Sequence, residues 1–248
     1  MTDSHAHLDA CDGPVSSLVE RARAAGVTRV VTIGTGIESC RAALAIADAH
    51  EGVFAALGID PHGAAGPEVR RLDELRDLLD HPKVVAVGET GLDTVRRYAS
   101  SAEQRQLFAA QLELADERGL PVVVHNREAD AETADVLAPF SGSVVLHCFS
   151  SPSLVPVAVE RGYYVSLAGN VTYPNASDLR AAVAAIPRER LLVETDSPYL
   201  APQAVRGTAN EPANVAHTLR VLAEERGESF EDLAAQTHAN ATAAFGLP

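Results

Sequence analysis

Apolar residues along the chain fall into short runs that are separated by longer segments of mixed polarity. Eight runs rich in Val, Ile, Leu and Ala predict strands, at about residues 2–8, 27–34, 53–59, 84–89, 121–125, 143–149, 163–168 and 191–195. Several are apolar almost throughout, as is typical of strands covered on both faces. The segments between them carry Ala, Leu, Glu and Arg at helical spacing, as in 14–26, 37–50 and 101–119.

The regular alternation of strand and helix predicts a (β/α)8 TIM barrel, because parallel strands need crossover helices. Residues 1–248 fit one such domain, and segments 211–227 and 229–245 read as two closing helices. The longest irregular stretch, 197–212, follows the eighth strand. Long loops at that end of a barrel strand usually carry function.

Potential metal ligands recur at the ends of the predicted strands. In a (β/α)8 barrel the carboxyl ends of the strands meet at one mouth, so these side chains are expected to share a site. Imidazole and carboxylate together suit zinc, manganese, iron or nickel. The six candidates are His5, His7, Glu89, His125, His147 and Asp196.

Six protein ligands exceed the three that a catalytic metal usually has, so the pattern predicts two divalent cations. His5 and His7 lie two apart, on one face of a strand, and with Asp196 they are expected to hold one ion. His125 and His147 would hold the other, and the two oxygens of Glu89 would bridge the pair. The ligand pattern is compatible with Zn, Mg, Mn, Fe or Ni and does not select one of them.

Charge and composition narrow the possible partners. The net charge of −14 excludes a broad basic footprint for duplex DNA, and a polyanionic substrate would need a local patch or bound cations. Aromatic residues make up 4% of the chain, which argues against base-stacking platforms. No signal peptide or membrane span is evident, and the three scattered cysteines predict reduced thiols. We therefore expect a cytoplasmic protein. We also expect it to be a monomer that has no membrane or protein partner.

Several segments, in order, resemble the TatD family of metal-dependent deoxyribonucleases, a branch of the amidohydrolase-like barrels. The segments are DSHAHLD (3–9), GETGLD (88–93), PVVVHNRE (121–128), LHCFS (146–150), ETDSPYL (194–200) and RGTANEP (206–212). The resemblance implies a divalent-metal-dependent hydrolase that cleaves phosphodiester bonds with an exonuclease-like action on DNA, through water activated by two metals.

The resemblance also assigns residues. It makes the six candidates the metal ligands, with Glu89 and Asp196 catalytic and Asp196 accepting the proton of the attacking water. Arg127 and Arg206 match positions expected to meet substrate phosphate, which a guanidinium grips with two hydrogen bonds. His62 follows the third strand, on the predicted rim, and is a further candidate for substrate binding.

Three positions on the predicted rim depart from the family pattern. Asp60 stands where a histidine is common, Thr208 where a lysine is common, and Thr94 with Val95 replaces an aromatic pair. Two of these changes remove or oppose positive charge near the substrate. They leave open a metallohydrolase that acts on an amide, ester or lactone, and a metal-binding scaffold without turnover remains a second alternative.

Overall fold

The strands form one parallel sheet in which each strand pairs with the next along the chain. The computed structural model describes Met1–Pro248. The order of the strands in the sheet is the same as their order along the chain, from β1 to β8. The strands are β1 Thr2–Ala6, β2 Arg29–Gly34, β3 Val53–Leu57, β4 Val84–Asp93, β5 Val122–Arg127, β6 Val144–Leu146, β7 Tyr164–Leu167 and β8 Leu191–Val193. The predicted (β/α)8 barrel is therefore confirmed.

Helices follow the strands as the spacing of apolar residues predicted. They are α1 Val15–Ala24, α2 Ile37–Ala49, α3 Leu72–Leu78, α4 Ser101–Arg118, α5 Asp130–Leu137, α6 Val155–Arg161, α7 Ser177–Val183, α8 Val215–Arg226 and α9 Phe230–Phe245. Ser100 and Glu103 cap the start of α4 reciprocally, and Gly119 ends it in a left-handed conformation with φ 63°. None of the helices combines the length and the apolar character that spanning a bilayer requires.

The ring closes between the first and last strands through the segment that follows β8. Ala6 pairs with Ser197, the His7 N–H donates to the Ser197 carbonyl at 2.7 Å, and the Asp196 N–H donates to the His5 carbonyl at 2.9 Å. These backbone bonds bring the two ends of the sequence together. They also fix the first two candidate histidines beside Asp196.

Residues of strands β2 to β8 point into the barrel, where they form a separate inner core. Val123 of β5, Val145 of β6 and Leu192 of β8 belong to this core, which the end of α9 closes from below with Phe245. Their strand neighbours instead pack outward against the helices. Because side chains on a strand repeat every two residues, the inward direction continues toward the next polar positions at the mouth.

The strands differ from the predicted ranges at most boundaries: six are shorter than predicted, and two continue further toward the mouth. β4 continues to Asp93 and β5 to Arg127, because the two strands stay paired up to these residues. Gly91 permits this close pairing: its φ is +136°, and a Cβ there would lie 2.0 Å from the His125 carbonyl oxygen. Glu89 and His125 therefore lie within the carboxyl-terminal parts of their strands, and Glu89 falls in a register shift between the paired residues Val87 and Thr90.

An ion-pair network just before α9 makes the folding stability of the protein depend on pH. Glu228 accepts hydrogen bonds from the Nε atoms of Arg226 and Arg188, each at 2.7 Å. Burial opposes ionisation of Glu228, but the two guanidinium groups outweigh it and lower its pKa. A lowered folded-state pKa contributes stability above the unfolded pKa of about 4.3, and that contribution is lost as pH falls through the folded value.

Glu228→Gln should lower the free energy of unfolding at pH 7 by about 1 kcal/mol, since part of this network is solvent-exposed. The variant should also lose less stability than the wild type between pH 5 and pH 3. Urea unfolding at each pH measures both effects. Glu113→Gln, on the exposed face of α4, is the matched control; an equal acid response in the wild type and Glu228→Gln would contradict this role.

Candidate metal centre

All six predicted ligands meet at the carboxyl ends of the strands. His5, Glu89 and His125 lie on β1, β4 and β5. The others follow their strands at once or within three residues: His7 after β1, His147 after β6 and Asp196 after β8. The prediction that these residues share one site is thus matched by their positions, although metal binding itself stays a prediction.

Glu89 occupies the centre of the cluster, and its two carboxylate oxygens face different imidazoles. One oxygen, Oε1, lies 2.8 Å from His125 Nδ1 and 3.1 Å from His147 Nε2. The other, Oε2, lies 3.7 Å from His5 Nε2 and 3.8 Å from His7 Nε2. A single buried carboxylate therefore contacts two pairs of histidines, and the two pairs also meet directly where the rings of His5 and His147 stack with their centres 3.8 Å apart.

Asp196 lies beside the two histidines at the end of β1 and forms a group of three potential ligands with them. His5 Nε2 and His7 Nε2 are 3.3 Å apart, and Asp196 Oδ1 lies 3.7 Å from the former and 3.4 Å from the latter. Donors bound about 2.1 Å from a tetrahedral zinc ion are about 3.4 Å from one another. These three side chains are therefore spaced as ligands of one cation would be.

The pair on the other side of Glu89 is supported from behind by a second carboxylate. His125 Nδ1 lies 3.2 Å from His147 Nε2, so both nitrogens face the same space. The far nitrogen of His147, Nδ1, lies 3.3 Å from Glu194 Oε1, which also accepts the Cys148 N–H at 2.7 Å. Glu194 is fully buried and fixes the orientation of the His147 ring.

Burial and mutual charge set the protonation of this cluster. Burial, reinforced by the neighbouring His147, lowers the pKa of His5 well below its usual value. Burial alone would raise the pKa of Glu89, but the imidazoles of His147 and His125 lower it well below the usual range. Burial opposes protonation of His147, but the carboxylates of Glu89 and Glu194 outweigh it and raise its pKa well above the usual value. Metal ions bind the neutral imidazole and the ionised carboxylate, so His5 and Glu89 are already in the binding form, whereas His147 must release a proton when a cation binds.

Four non-glycine residues have left-handed backbone conformations, all in segments that follow strands, and two of them are the candidate ligand Asp196 and the neighbour of His147, Cys148. The φ angles are 45° at Cys148 and 52° at Asp196. Such conformations cost roughly 1–3 kcal/mol each and persist where surrounding contacts enforce them. At Asp196 the enforcing contacts are the bonds that close the barrel, and the result is a carboxylate aimed at His5 and His7.

A second group of polar side chains lies beside the centre, over the ends of β3 and β4. His62 Nδ1 is 2.8 Å from Asp60 Oδ2, and His62 Nε2 is 3.1 Å from Asp93 Oδ2. Asp93 also lies 3.5 Å from His125 Nε2, which links this group to the central cluster. The carboxylate of Asp60 raises the pKa of His62, and Asp93 acts in the same direction despite partial burial.

The substrate-binding candidates lie around the mouth in different settings. Both ring nitrogens of His62 are directed at carboxylates, so neither is available to form a hydrogen bond with a substrate. The face of the ring and its charge remain available for contact. Arg127 is exposed at the end of β5, 4.0 Å from Asp93. Arg206 lies in the loop after β8, stacked 4.3 Å above the ring centre of Tyr173. Substrate binding by these three residues stays a prediction.

The sequence pattern assigns no role to Asp93 or Glu194, although both lie behind candidate ligands. Glu194 lies two residues before Asp196 and continues the inward direction of Leu192, so strand periodicity was a usable signal. Asp93 lies within the GLD segment, but its contact with His62 joins loops that are distant in sequence. Nothing in the linear pattern predicts that contact.

A (β/α)8 barrel with imidazole and carboxylate ligands at the carboxyl ends of its strands has the architecture of a metal-dependent hydrolase. Comparison with known proteins specifies the class further. The family described as "TatD related DNase" matches residues 2–246. The chain belongs to the TatD family of metal-dependent hydrolases.

Individual relatives match along nearly their full length. The chain is 44% identical to the "Uncharacterized metal-dependent hydrolase TatD" of Mycobacterium tuberculosis, with 100% of this chain and 98% of that protein covered. It is 38% identical to the "3'-5' ssDNA/RNA exonuclease TatD" of Cronobacter sakazakii, with coverage of 92% and 90%. The structure of the TatD homologue YJJV of Escherichia coli K12 superposes with a TM-score of 0.90 at 30% identity, covering 100% and 98% of the two chains.

Proposed function

We propose that this protein hydrolyses phosphodiester bonds with the help of two divalent cations and acts as an exonuclease-like deoxyribonuclease. The observation that carries the proposal is the position of Glu89, whose two oxygens face two separate pairs of imidazoles. One buried carboxylate between two ligand groups is the arrangement expected of a bridging ligand. The name of the Cronobacter relative, an exonuclease of single-stranded DNA and RNA, supports the choice of a phosphodiester substrate.

The ligands divide naturally around Glu89. His5, His7 and Asp196 would hold one cation, and His125 with His147 would hold the other. Divalent ions at such a centre supply Lewis acidity, which activates water and neutralises charge on a phosphoryl group. The donor set does not select among Zn, Mg, Mn, Fe and Ni.

The chain's own residues supply proton transfer and orientation. Asp196 lies at the mouth with its side chain 12% exposed, where it can accept a proton from the attacking water. Glu194 lies behind the His147 imidazole and holds its ring in place, and Asp93 Oδ2 lies 3.5 Å from the far nitrogen of His125. Catalysis in this scheme depends on side chains that are fixed before the substrate arrives.

The acidic side chain of Asp60 on the rim repels a polyanionic substrate less than its charge alone suggests. The Asp60 carboxylate is paired with His62, and one of its oxygens also accepts the Gly63 N–H at 3.0 Å. Its charge is therefore compensated locally, which weakens the argument from Asp60 for a neutral amide, ester or lactone. Arg127 and Arg206 remain exposed beside the mouth, where they can meet phosphate.

Metal analysis combined with a length-resolved digest tests the proposal. The protein should bind about two divalent cations per chain and shorten a labelled single-stranded oligonucleotide from one end, and EDTA should abolish the cleavage. The same protein should release no carboxylate from a panel of amides, esters and lactones. Carboxylate release without shortening would assign the alternative chemistry. Metal-loaded protein that acts on neither substrate would favour a scaffold.

Arg206→Ala should raise KM for a phosphodiester roughly fivefold, the effect of about 1 kcal/mol of lost binding, with little change in kcat. The salt dependence of binding should also become shallower, since one phosphate contact is lost. Steady-state kinetics at several salt concentrations measure both. Arg190→Ala, an arginine stacked on Tyr164 at the opposite end of the barrel, is the matched control. Equal kinetics in all three proteins would remove Arg206 from the site.

A further inference from the structure

Exposed aromatic rings occur only at the mouth of the barrel. The chain has six phenylalanines and five tyrosines, and all are buried or half-buried except Tyr98 and Tyr199. The exposed fractions of these two are 68% and 55%. Aromatic rings are large apolar surfaces that folding normally removes from water, so their concentration at one end of the molecule indicates a binding role.

The two tyrosines lie on opposite sides of the candidate metal centre. Tyr98 follows β4 and Tyr199 follows β8, and strands four apart are diametrically opposed in an eight-stranded ring. The ring of Tyr98 is centred 5.5 Å from the ring of His62, and that of Tyr199 is centred 5.7 Å from the ring of His7. Each tyrosine therefore lies next to an imidazole of the site while most of its own surface stays open.

The loop that carries Tyr98 is held in place by hydrogen bonds between side chains and backbone groups at both of its ends. Asp93 Oδ1 accepts the N–H groups of Val95 and Arg96, each at 2.8 Å. At the same end of the loop, Thr94 Oγ1 donates to the Glu128 carbonyl at 2.9 Å, and at the other end Ser100 begins the capping box of α4. A fixed loop loses little conformational freedom when a ligand binds to its side chains.

Positive charge accompanies the same ring. Arg96 and Arg97 directly precede Tyr98, both are exposed, and neither forms a salt bridge. On a chain with a net charge of −14, two adjacent unpaired guanidinium groups form a local basic patch. Basic side chains beside an open aromatic ring are typical of proteins that bind single-stranded nucleic acid, because the charges meet phosphates while the ring stacks on a base.

We propose that Tyr98 and Tyr199 are stacking platforms for unpaired nucleobases on either side of the metal centre, and that Arg96 and Arg97 contact the adjoining phosphates. The proposal rests on the phosphodiesterase function proposed above, and it assigns residues of this chain to the bases and phosphates of a single-stranded substrate of the kind that the name of the Cronobacter relative indicates. Unpaired bases are required because the faces of duplex bases are covered by their neighbours in the stack. The low overall content of aromatic residues does not oppose this role, since two rings at the right place suffice.

A pair of oligomers with the same length and backbone separates base contacts from phosphate contacts. One carries thymine at every position, and the other is abasic, with tetrahydrofuran units in place of nucleosides. Tyr98→Ala and Tyr199→Ala should each raise KM for the thymidine oligomer roughly 5- to 100-fold, the range expected for one lost base stack. Both variants should leave KM for the abasic oligomer unchanged, and Tyr98→Phe and Tyr199→Phe should behave as the wild type.

Two further variants complete the design. Val159→Ala removes another exposed apolar side chain, on α6, and should change neither KM. Arg96→Ala should raise KM for both oligomers alike and reduce the salt dependence of binding, as loss of a phosphate contact does. Circular dichroism and thermal unfolding verify that each variant is folded before its kinetics are compared.

The outcomes distinguish this proposal from the one on which it rests. Cleavage of both oligomers with equal KM by the wild type would overturn base stacking and leave the phosphodiesterase function standing. Tyrosine-to-alanine variants that impair both oligomers equally would have the same consequence. A wild type that cleaves neither oligomer with any divalent metal, yet hydrolyses an amide, ester or lactone, would overturn both proposals together.

Discussion

Glu89→Gln is expected to remove most of the bound metal and to lower kcat/KM by more than about 100-fold. Changes behind metal ligands typically reduce affinity or activity roughly 10- to 100-fold, so loss of a ligand between both histidine pairs should exceed that range. Gln has nearly the same shape as Glu but lacks the charge. Its amide nitrogen would also direct hydrogens toward one of the two imidazole pairs that Glu89 now faces.

Metal content per chain and single-turnover cleavage of an oligonucleotide measure the effect. Glu89→Asp keeps the charge and shortens the reach, so it separates electrostatic attraction from bridging geometry. Glu113→Gln, a surface change of the same type on α4, should behave as the wild type. A Glu89→Gln protein that retains two metal ions and full turnover would show that Glu89 does not bridge them.

Glu194→Gln should weaken metal binding roughly 10- to 100-fold without unfolding the barrel. The Glu194 carboxylate contacts no candidate cation position directly; it contacts Nδ1 of His147 and the Cys148 N–H. The amide oxygen of Gln can still accept the Cys148 N–H, so the left-handed turn at Cys148 should survive. The neutral amide holds the His147 ring less firmly, because hydrogen bonds to an ionised acceptor are roughly twice as strong.

Calorimetric titration with the preferred metal and urea unfolding of the metal-free protein test the two parts separately. Glu194→Ala should in addition lower the free energy of unfolding by about 1–2 kcal/mol, since it removes the acceptor of the half-buried Cys148 N–H. Unchanged metal affinity in a folded Glu194→Gln protein would limit Glu194 to a structural role.

The candidate ligands could be predicted because strand periodicity is local. His125, His147 and Asp196 lie an even number of residues beyond Val123, Val145 and Leu192, whose side chains point into the barrel. An inward apolar residue therefore sets the direction of the polar residue that follows it. Parallel strands in turn bring their carboxyl ends together, so the positions of residues far apart in sequence could be inferred as well.

Strand lengths were predicted less accurately, and the reason lies in pairing between strands. Nothing in the composition of 88–93 distinguishes strand from loop, and only the partner β5 extends β4 to Asp93. The extension places Asp93 near His62 and His125, which gives the rim an acid–imidazole cluster that sequence reasoning had divided into separate loops.

The order of strands and helices, the barrel they form and the six ligand candidates at its mouth can all be inferred from the sequence, because each follows from periodicity and from the direction of parallel strands. Three features follow only from three-dimensional packing: Glu89 contacts two histidine pairs, Glu194 supports His147, and Tyr98 and Tyr199 lie on opposite sides of the site. These contacts join different loops across the ring. Their distances depend on barrel closure and loop packing, which no local pattern encodes.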